Sequence, residues 1–226
     1  SEPPIGNLGG GSDHIAFYMH AGIPSLSGGT GGANLYHSNY DSFEFYKRFV
    51  DPEFKMGAMI EQWSGLMALK LSNSDVIPYD LNRYASDLKK HFSDAEAKIK
   101  TYNSDFSGFK LSNASISKLD NVSKIWSKRI SIIKQLKIEK LKNINKQLIG
   151  LEKSFIDKKG MYFGSWYKSL YAATDPFSGY ASWILPGIEY EIALKRSSKL
   201  KEWDLRYSKA INNLSIKIVK LTDSLP

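Results

Sequence analysis

Apolar residues recur every three or four positions through the second half of this chain, and that spacing constrains the fold more than any other feature. One stripe near the C-terminus consists of Trp203, Tyr207, Ile211, Leu214, Ile218 and Leu221. Another consists of Leu119, Val122, Trp126, Ile130 and Ile133, followed in the same manner by Leu141, Ile144, Leu148 and Leu151. Such spacing is typical of amphipathic helices. We therefore predict two long helices in a bundle whose surplus apolar face can serve a partner subunit.

The residues before position 93 have a different composition, with more glycine, proline and small side chains. Glycine-rich turns at residues 9–11 and 28–32 flank a short apolar run at residues 22–26, which predicts a strand. Asp51-Pro52 is typical of a helix start, and the apolar residues after it cover more than one face, which predicts a well-buried helix. The chain is thus predicted to be α/β up to about residue 93 and all-α after it.

Charge and cysteine content exclude several classes of protein. The chain has no cysteine, which excludes disulfides, zinc fingers and thiol catalysis. Its net charge of +8 comes mostly from lysines scattered after Leu111, and no stacking-aromatic motif or recognition helix accompanies them. This favours a solvated helical face over a nucleic-acid site. A basic helical module that binds acidic lipid or nucleic acid is the alternative, and it would need to bind at about 0.15 M salt.

His37 is the candidate metal ligand, in the stretch Tyr36-His37-Ser38. An imidazole can give one nitrogen to zinc, but a catalytic zinc needs about three protein ligands. The other histidines form no pair at metal-binding spacing; they are His14, His20 and His91. His37 is therefore either a surface histidine or one part of a site that other sequence completes.

Several motifs together resemble the end of the peptidase domain in the glutamate carboxypeptidase II and transferrin receptor family. They are Leu8-Gly9-Gly10-Gly11-Ser12-Asp13-His14, Gly22-Ile23-Pro24-Ser25, Leu35-Tyr36-His37-Ser38-Asn39-Tyr40-Asp41 and Leu71-Ser72-Asn73-Ser74-Asp75-Val76-Ile77-Pro78-Tyr79. Residues 151–157 and Leu185-Pro186-Gly187-Ile188 resemble the family's helical dimerisation domain. The resemblance covers nearly the whole chain in order. Its composition, rich in Lys, Asn and Ile, is most similar to that of fungal members, such as the one that acts in vacuolar protein sorting.

The resemblance implies two parts. Residues 1–93 would be the C-terminal part of a zinc aminopeptidase-like α/β/α domain, and residues 94–226 a helical-bundle dimerisation domain that forms a homodimer. Active members hold two zinc ions, and His37 aligns with the final ligand. The other ligands and the general base are expected before Ser1. The complete protein is thus expected to be a zinc metallopeptidase, whereas this chain alone is not expected to hydrolyse a peptide bond.

The resemblance also implies a substrate pocket. The residues that align with it are Tyr36, Gly11, Ser12 and Tyr180. Asp13 or Asp41 is expected to accept a hydrogen bond from the second ring nitrogen of His37, as carboxylates commonly do beside metal-bound imidazoles.

This chain differs from the glutamate-specific members of the family in the charge at three positions. Ser27, Gly29 and Gly179 stand near or at the positions where glutamate-specific members carry cations. A buried substrate carboxylate would therefore lack charge-assisted partners. We predict no preference for C-terminal glutamate and a broader amino- or dipeptidase-like activity on peptides.

A catalytically silent homodimer that acts in protein sorting, like the transferrin receptor, is the alternative function. Retention of His37 favours the enzyme, because a silent relative has no chemical reason to keep an imidazole there. The family consists of type II membrane glycoproteins, which implies the lumenal or extracellular side of the secretory or vacuolar pathway, with any anchor upstream of Ser1. No apolar run in the chain approaches 18 residues. Asn-x-Ser triplets give three candidate glycosylation sites, at Asn113, Asn121 and Asn213.

Overall fold

A computed structural model describes residues 6–31, 34–132 and 137–225. Ser1, Gly32 and Ile133, which enter the predictions above, lie outside the described residues. The described chain forms two compact units. The larger consists of residues 6–26 and 79–225, and the smaller of residues 27–78.

The smaller unit is organised around the buried carboxylate of Asp51. A short helix, α1 (Phe43–Phe45), continues as a π-helical turn, Tyr46–Val50, and helix α2 spans Lys55–Ser72. Asp51 lies between them and accepts hydrogen bonds from the Lys55 and Gly57 amides at 2.8 and 3.0 Å and from the Tyr46 hydroxyl at 2.9 Å. Burial alone would raise the pKa of Asp51, but these hydrogen bonds outweigh it and leave the pKa below its usual value. Asp51 thus caps α2.

Helix α2 confirms the predicted helix after Asp51-Pro52, although it begins at Lys55. The prediction that it is well buried is wrong, because none of its residues is buried and Leu66 and Leu69 are 67% and 58% exposed. A helix with apolar residues on more than one face needs neighbours on more than one side. The only other helical segments among the described residues of this unit are the short ones before Asp51.

The larger unit is mostly helical, as predicted for the second half of the chain. Its N-terminal stretch contains a π-helical turn, Ala16–His20. The elements that follow are helices α3 (Asn82–Lys100), α4 (Lys110–Ser131) and α5 (Ile138–Ile149), a 3-10 turn (Glu152–Phe155), strands β1 (Ala172–Thr174) and β2 (Ser182–Ile184), and helices α6 (Pro186–Ala193) and α7 (Leu200–Asp223).

Helix α7 is the centre of the core, and its predicted stripe is confirmed. All six stripe residues, from Trp203 to Leu221, are fully buried. Helix α4 packs along α7 and also contacts α3. The helices α4 and α7 are parallel, because Ser112 bonds Asp204 at one end and Arg129 bonds the Leu225 carbonyl at the other. Three small side chains on α4 are buried and allow this approach; they are Ser112, Ser115 and Ser123.

Two details of the predicted architecture are wrong. The stripe from Leu119 to Leu151 is not one helix, because α4 ends at Ser131 and α5 begins at Ile138. Residues 22–26 form no strand. Strands β1 and β2 pair antiparallel, with Ala173 opposite Trp183, and form the one sheet among the described residues.

The peptidase-domain fragment predicted for residues 1–93 stays a prediction, because the described part of that stretch holds helices and irregular segments. The predicted boundary between residues 93 and 94 falls within α3.

Candidate functional site

His37 lies at the tip of a tight turn in the smaller unit. Its φ of 63° is in the left-handed region, which histidine visits more readily than most residues. The Ser38 amide and hydroxyl both donate to the Leu35 carbonyl, at 3.0 and 2.6 Å, and the Asp41 amide donates to the Ser38 carbonyl at 3.2 Å. The Tyr36 ring stacks on the imidazole with centroids 3.9 Å apart. The turn is thus closed by local bonds that leave the imidazole exposed.

The imidazole of His37 is exposed. Within the described residues no hydrogen bond engages either of its ring nitrogens, and the Tyr36 ring restricts its orientation. No cluster of three or more His, Asp or Glu side chains able to hold a metal ion occurs in the described parts of the chain. The role of His37 as a zinc ligand stays a prediction.

A run of glycines in the larger unit brings Gly11 against Tyr180. The Gly10 amide donates to the Tyr180 carbonyl at 2.7 Å, and the Ser182 hydroxyl donates to the Leu8 carbonyl at 2.6 Å. A Cβ on Gly11 would come 2.7 Å from the Tyr180 ring, and φ at Gly11 is 79°. Only glycine allows so close an approach with that backbone. Gly11 and Tyr180, which are far apart in sequence and are both predicted to bind substrate, therefore lie against each other.

Residues 175–180, which carry Tyr180, are fixed by two side chains that the sequence analysis missed. The Asp175 carboxylate accepts from the Phe177 amide at 2.8 Å and from the Ser178 hydroxyl at 2.9 Å. Ser178 in turn accepts from the Tyr180 amide at 3.3 Å. The Asp-Pro and Ser-Gly pairs in this stretch are ordinary turn signals and could have revealed it. Tyr180 is 53% exposed and so can contact a ligand.

The remaining predicted site residues are exposed and lie on both units. Ser12 and Asp13 follow the glycine run in the larger unit, where the Ser12 carbonyl accepts from the Ile15 amide at 3.3 Å. Asp41 closes the His37 turn through its amide, and among the described residues no hydrogen bond joins its carboxylate to His37. The roles predicted for these residues stay predictions.

A second group of titratable side chains lies between the N-terminal segment and α3. The Tyr84 hydroxyl donates to the largely buried Glu152 carboxyl. Burial raises the pKa of Glu152, and the bond from Tyr84 opposes this only in part. Burial and the nearby Glu152 charge raise the pKa of Tyr79 to about 12 and that of Tyr18 well above its usual value. The sequence analysis missed this cluster because its members are scattered along the chain.

The three candidate glycosylation sites are exposed asparagines within helices. Asn113 and Asn121 lie on α4, and Asn213 lies on α7. The Asn113 amide donates to the Glu96 carboxylate at 3.1 Å. Their occupancy stays a prediction. None of the helices in the described chain is long and apolar enough to cross a membrane.

Several known proteins are similar to this chain. "Probable glutamate carboxypeptidase LAMP1" of Arabidopsis thaliana is 30% identical over 218 residues, which are 92% of this chain and 31% of the relative. "Aminopeptidase NAALADL1" of Mus musculus is 29% identical over 108 residues, 44% of this chain and 14% of the relative. "Vacuolar protein sorting-associated protein 70" of Saccharomyces cerevisiae is 22% identical over 233 residues, 90% and 28% of the two chains.

The plant and yeast relatives match about nine tenths of this chain, and the chain spans about three tenths of their length. The sequence profile of the "Transferrin receptor-like dimerisation domain" matches residues 55–218, which is most of the chain. The match includes the core helices α3, α4, α5 and α6 and most of α7. The family predicted from the motifs is therefore confirmed, and the chain belongs to the transferrin receptor-like dimerisation domain family.

Proposed function

We propose that this chain is the C-terminal portion of a co-catalytic zinc exopeptidase, to which it contributes one zinc ligand, part of the substrate pocket and a homodimer interface. The observation that carries the proposal is His37, an exposed imidazole that local bonds present at the tip of a turn. The names of two relatives, a glutamate carboxypeptidase and an aminopeptidase, support it.

Each site residue has a distinct task in this proposal. His37 gives a ring nitrogen to one of two zinc ions, and Tyr36 limits the rotation of that ring. Bound zinc ions would polarise the scissile carbonyl and supply hydroxide near neutral pH. Gly11, Ser12 and Tyr180 line the pocket, where the Tyr180 phenol can donate to a substrate carbonyl or carboxylate. Asp13 or Asp41 would accept a hydrogen bond from the second ring nitrogen of His37 and so hold its tautomer.

We infer that the peptidase does not prefer C-terminal glutamate, although relatives carry that substrate in their names. Gly179, next to Tyr180, presents no side chain, and Ser27 and Gly29 carry no charge. A substrate carboxylate would find no cation at these three positions. The complete protein should therefore cleave peptides with C-terminal glutamate and with C-terminal leucine within about tenfold of each other in kcat/KM, since a desolvated charge pair is worth more than that.

The alternative is a catalytically silent homodimer in protein sorting, which the vacuolar sorting relative favours. Both proposals place the protein on the lumenal side of the secretory or vacuolar pathway. Peptidase assays of the complete protein on a peptide panel, with and without a zinc chelator, separate them. Chelator-sensitive cleavage supports the enzyme, and no cleavage of any peptide by zinc-loaded protein supports the silent homodimer.

A further inference from the structure

Nearly all of the net positive charge of this chain lies in one short stretch, residues 124–153. The stretch holds eight lysines, one arginine and two acidic residues, which give it a net charge of +7. The whole chain carries +8, so the rest of it is nearly neutral. Charge that is concentrated in this way attracts an anionic partner, whereas charge that only keeps a protein in solution can be spread over the surface.

The fold gathers this stretch at one end of the helical bundle, where α4 and α7 finish. The Arg129 guanidinium, near the end of α4, donates to the Leu225 carbonyl at 3.3 Å. The Lys217 ammonium of α7 donates to the Gly150 carbonyl, just after α5, at 3.0 Å. Helix α5 contacts α7 as well. We call α5, together with the last turns of α4 and α7, the basic end.

The lysines of α5 and of the residue before it are not neutralised by neighbours. Lys137, Lys140, Lys142 and Lys146 are exposed, and none of them forms an ion pair with a carboxylate of the described residues. Glu139 is the one acidic residue on α5. The charge of these four lysines is therefore available to a partner.

One exposed side of α5 combines these charges with apolar side chains. Ile138, Lys142, Lys146 and Ile149 follow one another at intervals of four, four and three residues, which places them on one side of the helix. Ile138 and Ile149 are 68% and 44% exposed. The buried residues of α5 lie on a different side. Lysines set between exposed isoleucines are typical of a helix that lies in the interface of a lipid bilayer.

We propose that the basic end docks on the surface of an anionic lipid bilayer, with α5 parallel to the membrane plane. The lysines lie at the level of the lipid headgroups and are attracted to their negative charge, while Ile138 and Ile149 enter the boundary between headgroups and acyl chains. This docking goes beyond the peptidase proposed above and does not depend on the zinc site.

Two features favour lipid over nucleic acid as the anionic partner. The one aromatic residue of the stretch 124–153, Trp126, is 3% exposed, so the stretch presents no ring on which a base could stack. Ile132 and Ile138 are 76% and 68% exposed. Apolar side chains such as these leave water in a lipid interface but gain little on a phosphate backbone.

Vesicle flotation tests the proposal on the complete protein, with any membrane anchor held in a nanodisc of neutral lipid. At about 0.15 M salt the parent should bind vesicles of phosphatidylcholine with about one third phosphatidylserine, and should not bind vesicles of phosphatidylcholine alone. Lys142→Gln combined with Lys146→Gln should weaken this binding by at least about tenfold, because each lysine near an anionic surface contributes about fivefold in affinity.

Lys110→Gln combined with Lys201→Gln is the matched control. It removes the same charge from two exposed lysines in the first turns of α4 and α7, at the opposite end of the bundle. It should change vesicle binding by less than about twofold, since salt screens charges that lie more than about 10 Å from the lipid. Ile138→Ser should weaken vesicle binding by about threefold or more, because the isoleucine side chain leaves water on docking.

The same experiment can overturn the proposal in several ways. Absence of binding to the anionic vesicles would do so. Equal losses in the two double variants would show that binding responds to overall charge and not to the basic end. Binding unchanged in Ile138→Ser would contradict the insertion of α5. Binding to duplex DNA without binding to vesicles would make the basic end a nucleic-acid site instead.

Discussion

Asp204 of α7 caps the first turn of α4 by accepting hydrogen bonds around Ser112. The Ser112 amide and hydroxyl donate to one carboxylate oxygen at 2.8 and 2.7 Å, and the Leu111 amide donates to the other at 3.0 Å. The residue that precedes α4, Phe109, has no side-chain acceptor for these amides. The Asp204 carboxylate of α7 thus caps α4 in place of a residue next to α4 in sequence.

Replacement of Asp204 by alanine should destabilise the larger unit by about 1–2 kcal/mol, the usual cost of removing a helix cap. Urea unfolding followed by circular dichroism measures the loss. Asp105→Ala, which removes an exposed loop carboxylate, is the matched control and should change the free energy of unfolding little. Equal losses for the two variants would contradict the capping role.

The stability of the larger unit should rise as the pH falls through the range just above the usual pKa of glutamate. Burial raises the pKa of Glu152 in the folded state, so the folded protein binds this proton more tightly than the unfolded chain. The stabilisation is therefore present at low pH and is lost as the pH rises through the raised pKa.

Glu152→Gln measures this contribution, because it keeps the size of the side chain and an acceptor for Tyr84 but cannot ionise. Unfolding free energies of the parent and the variant between pH 8 and pH 5 should converge or cross in favour of the parent as the pH falls. A constant difference across that range would show that the Glu152 carboxyl does not titrate differently in the folded state.

Gly11→Ala should displace Tyr180 and lower peptidase activity in the complete protein. An alanine Cβ would meet the Tyr180 ring at 2.7 Å and would occupy a left-handed backbone conformation, which costs about 1–2 kcal/mol. Misplacement of a pocket residue by about 1 Å can cost on the order of a hundredfold in rate.

Two comparisons isolate the contact between Gly11 and Tyr180. Gly65→Ala on α2, whose Cβ would meet no atom within 4 Å, is the control and should leave kcat/KM unchanged. Gly11→Ala combined with Tyr180→Ala should lose less than the sum of the single losses, because the clash disappears. Full additivity of the two losses would contradict the proposed displacement.

The helical stripes were predictable from sequence because burial repeats with the helical period. Trp203, Tyr207 and Ile211 are spaced as one face of a helix, and all three are fully buried. The turn at His37 was not predicted, although its bonds are equally local and Ser38 and Asn39 are turn-forming residues. The spacing of apolar residues along the sequence thus indicates which face of a helix is buried.

The features that the sequence did not reveal depend on partners far along the chain. Asp204 is 92 residues from Ser112, and Glu152 is 68 residues from Tyr84. Helix α2 was predicted to be buried and is exposed. Its apolar composition indicates that its surface suits a partner, but does not identify which part of a protein would cover it. Asp175 and Ser178 form a third case, in which ordinary turn signals were present and their relation to Tyr180 was not inferred.

Zinc content tests the central claim, that His37 is a ligand in a two-zinc site, most directly. The complete protein should bind about two zinc ions per chain, and His37→Ala should lose about one of them, since a catalytic zinc has about three protein ligands and tolerates the loss of one poorly. Asn39→Ala, which alters an exposed neighbour in the same turn, controls for disturbance of the loop and should keep both. Metal analysis after dialysis gives the answer without an activity assay. A His37→Ala protein that keeps the zinc content of the parent would contradict the assignment.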